Sequence, residues 1–229
     1  MTDGRLPTGI PSVDRLLGGG LENDCVTEVY GEAGSGKSLF CIEIAVRVAR
    51  EGRWVIYVDT EGVSVDRLRS VAGEDLERLL KRFLLSTPKN LEEQGRAVAT
   101  ACALAREGKR PVGLLVVDSA TFFYRLSLSG SDEDEARQAL SLELADLVVT
   151  ALTANVPVVI TNQVWRSVQT GTLEPLGGSF LNHAAKTILR FDRLAGPRRR
   201  AVLLKHRSLP EGSAEFRITS TGLDGPVGG

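Results

Sequence analysis

Short, unbroken apolar runs punctuate the chain, and each one stops at polar residues. Trp54-Val-Ile-Tyr-Val58, Val112-Gly-Leu-Leu-Val-Val117 and Val156-Pro-Val-Val-Ile160 are of this kind; the first run, Cys25-Val-Thr-Glu-Val-Tyr30, also reads as a strand but carries Thr27 and Glu28 within it. Continuous rather than alternating hydrophobicity predicts strands buried on both faces. Helical periodicity fills the intervals. Phe40, Cys41, Ile44, Ala45 and Val48 recur at helix spacing behind the first run. Two helical stretches over 65–71 and 75–83 lead to a short strand at Leu84-Leu85, and an Ala-rich helix covers 91–107. A polar loop over 127–134 opens a long amphipathic helix ending near Ala154. Strands alternating with helices predict a parallel sheet wound with helices.

The two ends follow a different rule. At the start, Ser12 is placed to cap a short helix carrying Val13, Leu16 and Leu17, stopped by Gly18-Gly19-Gly20. Beyond Thr187, strands at 188–191, 201–205 and 215–218 are separated by turns. They predict an antiparallel C-terminal extension. The expected architecture is an α/β fold, a mostly parallel sheet flanked by helices, forming one domain over 1–229. Only the glycine-rich end at 225–229 reads as a disordered tail.

Composition narrows the function classes. Of 229 residues, 42% are hydrophobic and 25% charged, ordinary for a water-soluble globular chain. A net charge of −1 rules out a global basic field, so any nucleic-acid contact has to come from a local patch. Cys25, Cys41 and Cys102 lack metal-type spacing and read as reduced core residues. No apolar run reaches membrane-spanning length and no signal-peptide pattern is present, so the expected location is cytoplasmic and no membrane partner is expected.

Chemistry concentrates at the ends of the predicted strands. The first strand runs into Gly31-Glu32-Ala33-Gly34-Ser35-Gly36-Lys37-Ser38, followed by Leu39, which fits G-x-x-x-x-G-K-[ST] at every fixed position. Glycines let the backbone N–H groups curl around a polyphosphate, and the helix N-terminus behind them attracts the same anion. Lys37 is placed to reach the β- and γ-phosphates of ATP, and the Ser38 hydroxyl to ligate Mg²⁺. Val116-Val117-Asp118 is a hydrophobic strand ending in an aspartate, suited to hold that Mg²⁺ through a water or the Ser38 hydroxyl. Glu61, ending a neighbouring strand, is the candidate general base; a carboxylate opening the next helix is the other reading. Gln163 ends a further strand and has no acid–base chemistry, but its amide can sense a γ-phosphate.

The chain resembles the RecA superfamily of ATPases, in particular the archaeal recombinase branch and its short RadB-type paralogues. The residues carrying this are Thr8-Gly9 with Leu16-Leu17-Gly-Gly-Gly20, the Gly31–Ser38 loop and Tyr57-Val-Asp-Thr-Glu-Gly62. Val116-Val-Asp-Ser119, Thr161-Asn-Gln-Val164, Pro175-Leu-Gly-Gly178 and Leu209-Pro-Glu-Gly212 complete the set in family order. The resemblance implies a RecA-like P-loop ATPase core with ATP and Mg²⁺, acting on DNA in recombination and repair. It makes Glu61 the water-activating glutamate, Gln163 the γ-phosphate sensor opening the second DNA loop, and Arg67 the arginine over adenine.

Departures from that pattern set the remaining expectations. Only a short lead precedes the core, where strand-exchange recombinases carry a helical DNA-binding domain. The first DNA loop, basic in the family, here reads Ser127-Leu-Ser-Gly-Ser-Asp-Glu-Asp-Glu135, with Ser131 as a helix cap. The second loop offers Trp165 and Arg166 for stacking and pairing with single-stranded DNA, or equally for a subunit contact. The basic turn Arg198-Arg199-Arg200 is the candidate site for duplex or branched DNA. Strand alternation would set Lys205 and Arg207 on one face, placed to act on ATP of an adjacent subunit in a homo-oligomer, or simply as a solvated edge. Together these favour a regulator or mediator with weak ATPase, assisting a main recombinase. The alternatives are a filament-forming strand-exchange ATPase and a KaiC-like ATPase without a DNA role.

Overall fold

In the computed structural model, which describes residues 4–128, 133–166 and 173–225, the apolar runs become the middle of a nine-stranded sheet. The chain begins with β1 (Arg5–Leu6), α1 (Pro11–Leu16) and β2 (Leu21–Glu22), then enters the sheet at β3 (Val26–Gly31). Next come α2 (Lys37–Arg50), β4 (Trp54–Asp59), α3 (Val65–Ala72), α4 (Leu76–Leu80) and β5 (Phe83–Ser86). The middle of the chain supplies α5 (Leu91–Arg106), β6 (Val112–Asp118), α6 (Phe122–Ser127), α7 (Glu133–Ala154) and β7 (Val158–Asn162). A small hairpin, β8 (Val164–Arg166) with β9 (Leu173–Pro175), precedes α8 (Gly178–Ala184). Last are β10 (Thr187–Arg193), β11 (Arg198–Lys205), β12 (Gly212–Ile218) and β13 (Leu223–Asp224).

The sheet order is β13-β12-β11-β10-β3-β7-β6-β4-β5. Every pair from β10 to β5 is parallel, and the three pairs from β10 to β13 are antiparallel. Period-2 alternation splits the strand residues between two cores. Val55, Tyr57, Leu114, Val116 and Val159 pack under α2, while Ile56, Val58, Leu115, Val117 and Ile160 pack under α5 and α7. Both faces are therefore covered, as the continuous apolar runs require.

Four expectations change. The antiparallel extension starts at β11, because β10 itself runs parallel to β3. The short helix α8 makes the crossover that brings the chain back in that direction. Both α6 and α8 are too short, at six and seven residues, to leave a periodic trace in the sequence. The fourth concerns Ser12, which does not cap α1. Pro11 occupies the first turn, and Ser12 Oγ donates to the Glu215 carbonyl at 2.8 Å instead. Asp14 does the work at that corner, its carboxylate accepting from Thr8 N (2.6 Å), Thr8 Oγ1 (2.8 Å) and Gly9 N (3.2 Å). The tail at 226–229 and the loop residues 129–132, including Ser131, lie outside the described residues.

Candidate nucleotide site and nucleic-acid interface

Register brings the polar strand ends to one edge of the sheet. Asp59 is opposite Asp118 across β4 and β6, and Tyr30 is opposite Asn162 across β3 and β7. Immediately beyond β3 the chain bends into the Gly31–Ser38 loop. A Cβ on Gly31 would lie 2.3 Å from the Phe191 carbonyl oxygen, so only glycine passes there. Gly36, at φ 103°, forms the left-handed N-cap from which α2 starts. Lys37 Nζ donates to the carbonyls of Gly31 (2.7 Å) and Glu32 (3.1 Å) across its own loop. Burial holds its ammonium below the usual lysine range, opposed by the carboxylates of Glu61 and Asp118. A cation held by the carbonyls of a glycine loop at a helix N-terminus fits a polyphosphate. Ser35, fully buried, has a hydroxyl without a partner in the same loop.

Asp118 is buried and saturated. Its Oδ1 accepts from Ser38 Oγ (3.3 Å) and Thr161 Oγ1, and its Oδ2 from Tyr57 Oη (2.9 Å). Burial pushes its carboxyl up, while these three hydroxyls pull it down. No cluster of three or more His, Cys, Asp or Glu suited to a metal occurs among the described residues. The Ser38 hydroxyl beside Asp118 would suit a Mg²⁺ ion held mainly by phosphate and water, with Ser38 placed to be its protein ligand and Asp118 to orient that hydroxyl.

Glu61 is presented by its neighbour. The Asp59 carboxylate accepts from Glu61 N (3.2 Å), Gly62 N (2.8 Å) and Val63 N (2.6 Å), bending the chain sharply after β4. Gln163 Nε2 then donates to Glu61 Oε1 at 2.7 Å, joining residues 102 apart in sequence. The two side chains assigned to water activation and phosphate sensing therefore touch. Arg67 stands in α3, where its Nη1 donates to the Thr219 carbonyl at 3.1 Å. That carbonyl follows Ile218, whose side chain lies against Gly36 of the loop.

Sequence reading missed the support behind Gln163. Asn162 is fully buried and spans three elements. Its Nδ2 donates to Glu28 Oε1 (2.7 Å) and the Leu176 carbonyl (2.8 Å), and its Oδ1 accepts from Thr121 Oγ1 (2.7 Å). Glu28, in the centre of β3, has no exposure; burial raises its carboxyl to about 7. A glutamate within an otherwise apolar central strand was the available signal.

The match to a model of the Rad51 family extends over residues 4–226. The chain belongs to the Rad51 family. A protein of Methanoculleus marisnigri described as "DNA repair and recombination protein RadB" is 43% identical over 224 residues, covering 97% of this chain and 99% of its own. The protein of the same description from Methanococcoides burtonii is 40% identical, covering 92% and 93%. Among solved structures, "Crystal structure of the RadB recombinase" superposes with a TM-score of 0.80 at 37% identity, covering 96% of this chain and 99% of that one. The Rad51-family fold accounts for the mostly parallel sheet with antiparallel strands at its C-terminal end.

Within that fold, the basic cluster behaves differently from its sequence reading. Alternation on β11 separates Arg199 from its neighbours. Arg199 is 8% exposed, and its Nε donates to the Gly34 carbonyl of the phosphate loop at 3.1 Å. Its Nη1 closes the turn by donating to the carbonyls of Gly196 (3.0 Å) and Arg198 (2.7 Å). Arg198 and Arg200 are exposed and half-buried, and both face Glu215, at 2.7 and 3.6 Å. The three arginines do not form a common cationic surface.

The pairing of Lys205 with Arg207 on one strand face also gives way. β11 ends at Lys205, so alternation does not extend to Arg207. Lys205 Nζ donates to the carbonyls of Asn182 and Ala185 (2.8 Å) at the end of α8. Arg207 forks onto Asp24 (2.6 and 2.9 Å) and reaches Glu22 (3.0 Å), which raises its already high pKa. Both cations are answered within their own chain, so no outside anion is needed to separate them.

Trp165, in contrast, is 45% exposed on β8. It lines a groove of about 610 Å³ together with Phe180 (43% exposed), Arg125 and Arg137. Arg166 lies in the same strand, and its side chain falls outside the described residues.

Proposed function

We propose that this chain binds ATP with Mg²⁺ at the Gly31–Leu39 loop and acts on DNA in repair and recombination, as a regulator with slow turnover. The contact between Gln163 Nε2 and Glu61 Oε1 at 2.7 Å carries the reading. It links the group that would activate water to the strand end that leads directly into the β8–β9 hairpin. Bound nucleotide supplies a γ-phosphate for which Gln163 would exchange its bond to Glu61. Because Leu176 N also donates to the Gln163 carbonyl at 3.0 Å, such a shift would be transmitted to the far side of the hairpin. Slow turnover is supported by Lys205 and Arg207, which are engaged within their own chain rather than offered to a neighbour's ATP. A homo-oligomer with ATP at its interfaces would have to release them first. The relatives' printed names support repair and recombination as the setting.

For DNA, the groove with Trp165 and Phe180 replaces the Arg198–Arg200 turn as the favoured contact. Two exposed aromatic rings suit stacked bases, and Arg125 in the same lining suits a single-stranded backbone, while Arg137 there is paired with Glu133 at 2.7 Å and Glu174 also lines the groove. No helix among the described residues is long and apolar enough to cross a membrane. The deciding experiment measures ATP turnover with and without single-stranded DNA, for the parent and for Trp165→Ala. DNA stimulation in the parent that is reduced at least tenfold in Trp165→Ala is expected. Turnover indifferent to DNA in both would instead support the KaiC-like reading.

A further inference from the structure

On the opposite face of the sheet from the phosphate-loop helix, α5 and α7 flank a second groove of about 700 Å³. Small residues line it, Gly95 and Ala99 from α5 with Ala136 and Ala139 from α7. Leu126 (56% exposed) and Leu142 (65% exposed) stand at its edges. Its charge is one-sided: Glu92, Glu135, Glu143 and Asp146 line the groove, and among the described residues no cation does. Arg96 and Arg106, outside the lining, pair with Glu92 and Asp146.

Glu143 is the unusual member. It is 7% exposed, and its Oε2 accepts from Gln94 Nε2 at 2.8 Å. Its Oε1 has no partner, and neither does the Oε1 of fully buried Gln94. A Cβ placed on Gly95 would be 3.5 Å from Glu143 Oε1, so the orphan oxygen lies directly under the gap that glycine leaves. Burial raises this carboxyl to about 7. An acid without a donor in such a place is destabilising unless something supplies one.

We propose that this groove docks an amphipathic helix of a partner protein, which lays a lysine across Gly95 onto Glu143. The acidic lining excludes DNA and selects a cation. A lysine rather than an arginine fits, because its slender stem packs between small residues and its ammonium is a compact charge. A helix rather than a free polyamine follows from the surface beyond the groove. Leu142, Val149 and Leu152 are exposed at 65%, 49% and 59% along α7. Seven and three residues apart, they form a stripe about 15 Å long at 1.5 Å per residue. A partner helix covers such a stripe with its own i, i+3, i+7 side chains.

The test uses a fluorescein-labelled, 15-residue helical peptide with leucines at i, i+3 and i+7 and one central lysine. Two companions replace that lysine by norleucine or glutamate. Anisotropy is measured at 0.15 M salt against the full chain and against Glu143→Gln, Gly95→Leu and Leu142→Ser. The lysine peptide should bind saturably, at least tenfold more tightly than either companion, and lose at least tenfold in Glu143→Gln and Gly95→Leu. Leu142→Ser, at an exposed position, should weaken both lysine and norleucine peptides alike. Raising the pH from 6 to 8 should strengthen lysine-peptide binding to the parent beyond any change in Glu143→Gln, which retains Glu92, Glu135, Asp146, Arg96 and Arg106. Equal binding of lysine and norleucine peptides, or binding unmoved by Gly95→Leu, would overturn the proposal. So would spermidine binding with this variant dependence while the peptide fails. Self-association abolished by Gly95→Leu, read by sedimentation, would reassign the groove to a second copy of the chain.

Discussion

Removing the Arg199 side chain separates two ideas about the basic turn. As a DNA contact, it would be dispensable for folding and nucleotide binding. As built, it holds three carbonyls, of Gly34, Gly196 and Arg198, at 3.1, 3.0 and 2.7 Å. Hydrogen bonds from a charged donor are worth about 1.5–3 kcal/mol each, net of water. Burial of the guanidinium opposes this, and Arg193 beside it depresses its pKa further. Arg199→Leu should therefore lose about 2–4 kcal/mol in total, because three acceptors lose their donor while an apolar side chain refills part of the space. At roughly 2–4 °C per kcal/mol for a chain of this size, the melting temperature should fall by about 5–15 °C. The Gly34 carbonyl is part of the phosphate loop, so nucleotide affinity should fall about 3- to 10-fold, equivalent to roughly 0.7–1.4 kcal/mol. Arg198→Ala and Arg200→Ala remove only solvent-screened pairs with Glu215 and should each change stability by about 1 kcal/mol or less. The assay pairs thermal unfolding with titration of a fluorescent ATP analogue across the three variants. An Arg199→Leu protein that melts within about 1 °C of the parent and binds nucleotide equally well would refute the reasoning.

Lys37→Ala should weaken ATP binding at least tenfold, whereas Glu61→Gln should keep binding and lose hydrolysis; turnover by Glu61→Gln at the parent rate would remove Glu61 as the base. Trp165→Ala and Phe180→Ala should each weaken single-stranded DNA by about 1–3 kcal/mol, read by anisotropy at two salt concentrations, with the salt slope retained because no phosphate contact is lost. Burial raises the Glu28 carboxyl from 4.5 to about 7, so the folded chain keeps a proton that the unfolded chain releases. Its contribution to stability therefore falls as pH rises through that window and is fully unfavourable above it, by on the order of 3 kcal/mol. Glu28→Gln should match the parent near pH 5 and be more stable at pH 8; melting curves of equal pH dependence would contradict this.

The pattern along the chain was enough to specify the elements that lie wholly within one stretch of sequence. Unbroken runs such as Trp54–Val58 have to be strands covered on both faces, because apolar side chains on both sides of a pleat need cover on both. The glycine spacing from Gly31 to Gly36 is a local backbone requirement, so the phosphate loop was legible with no fold at all. Glu61, Asp118 and Gln163 were visible as polar residues at strand ends, where a parallel sheet collects them. What the sequence could not decide were partners across the fold. Whether an arginine reaches water or a carbonyl depends on which side of β11 it occupies and on what lies there. That placed Arg199 against Gly34, 165 residues away, while Arg198 turned to Glu215. Lys205 and Arg207 read as a free cationic pair because Asp24 and the end of α8 are remote in sequence and adjacent only once β10 returns beside β3. Buried Asn162 and Glu28 likewise acquire their meaning from the register of β3 against β7, which sets a carboxylate beside an amide in the buried interior. Charge alone is a property of the chain; what answers each charge is decided by the tertiary structure, because desolvation and pairing depend on neighbours that only folding supplies.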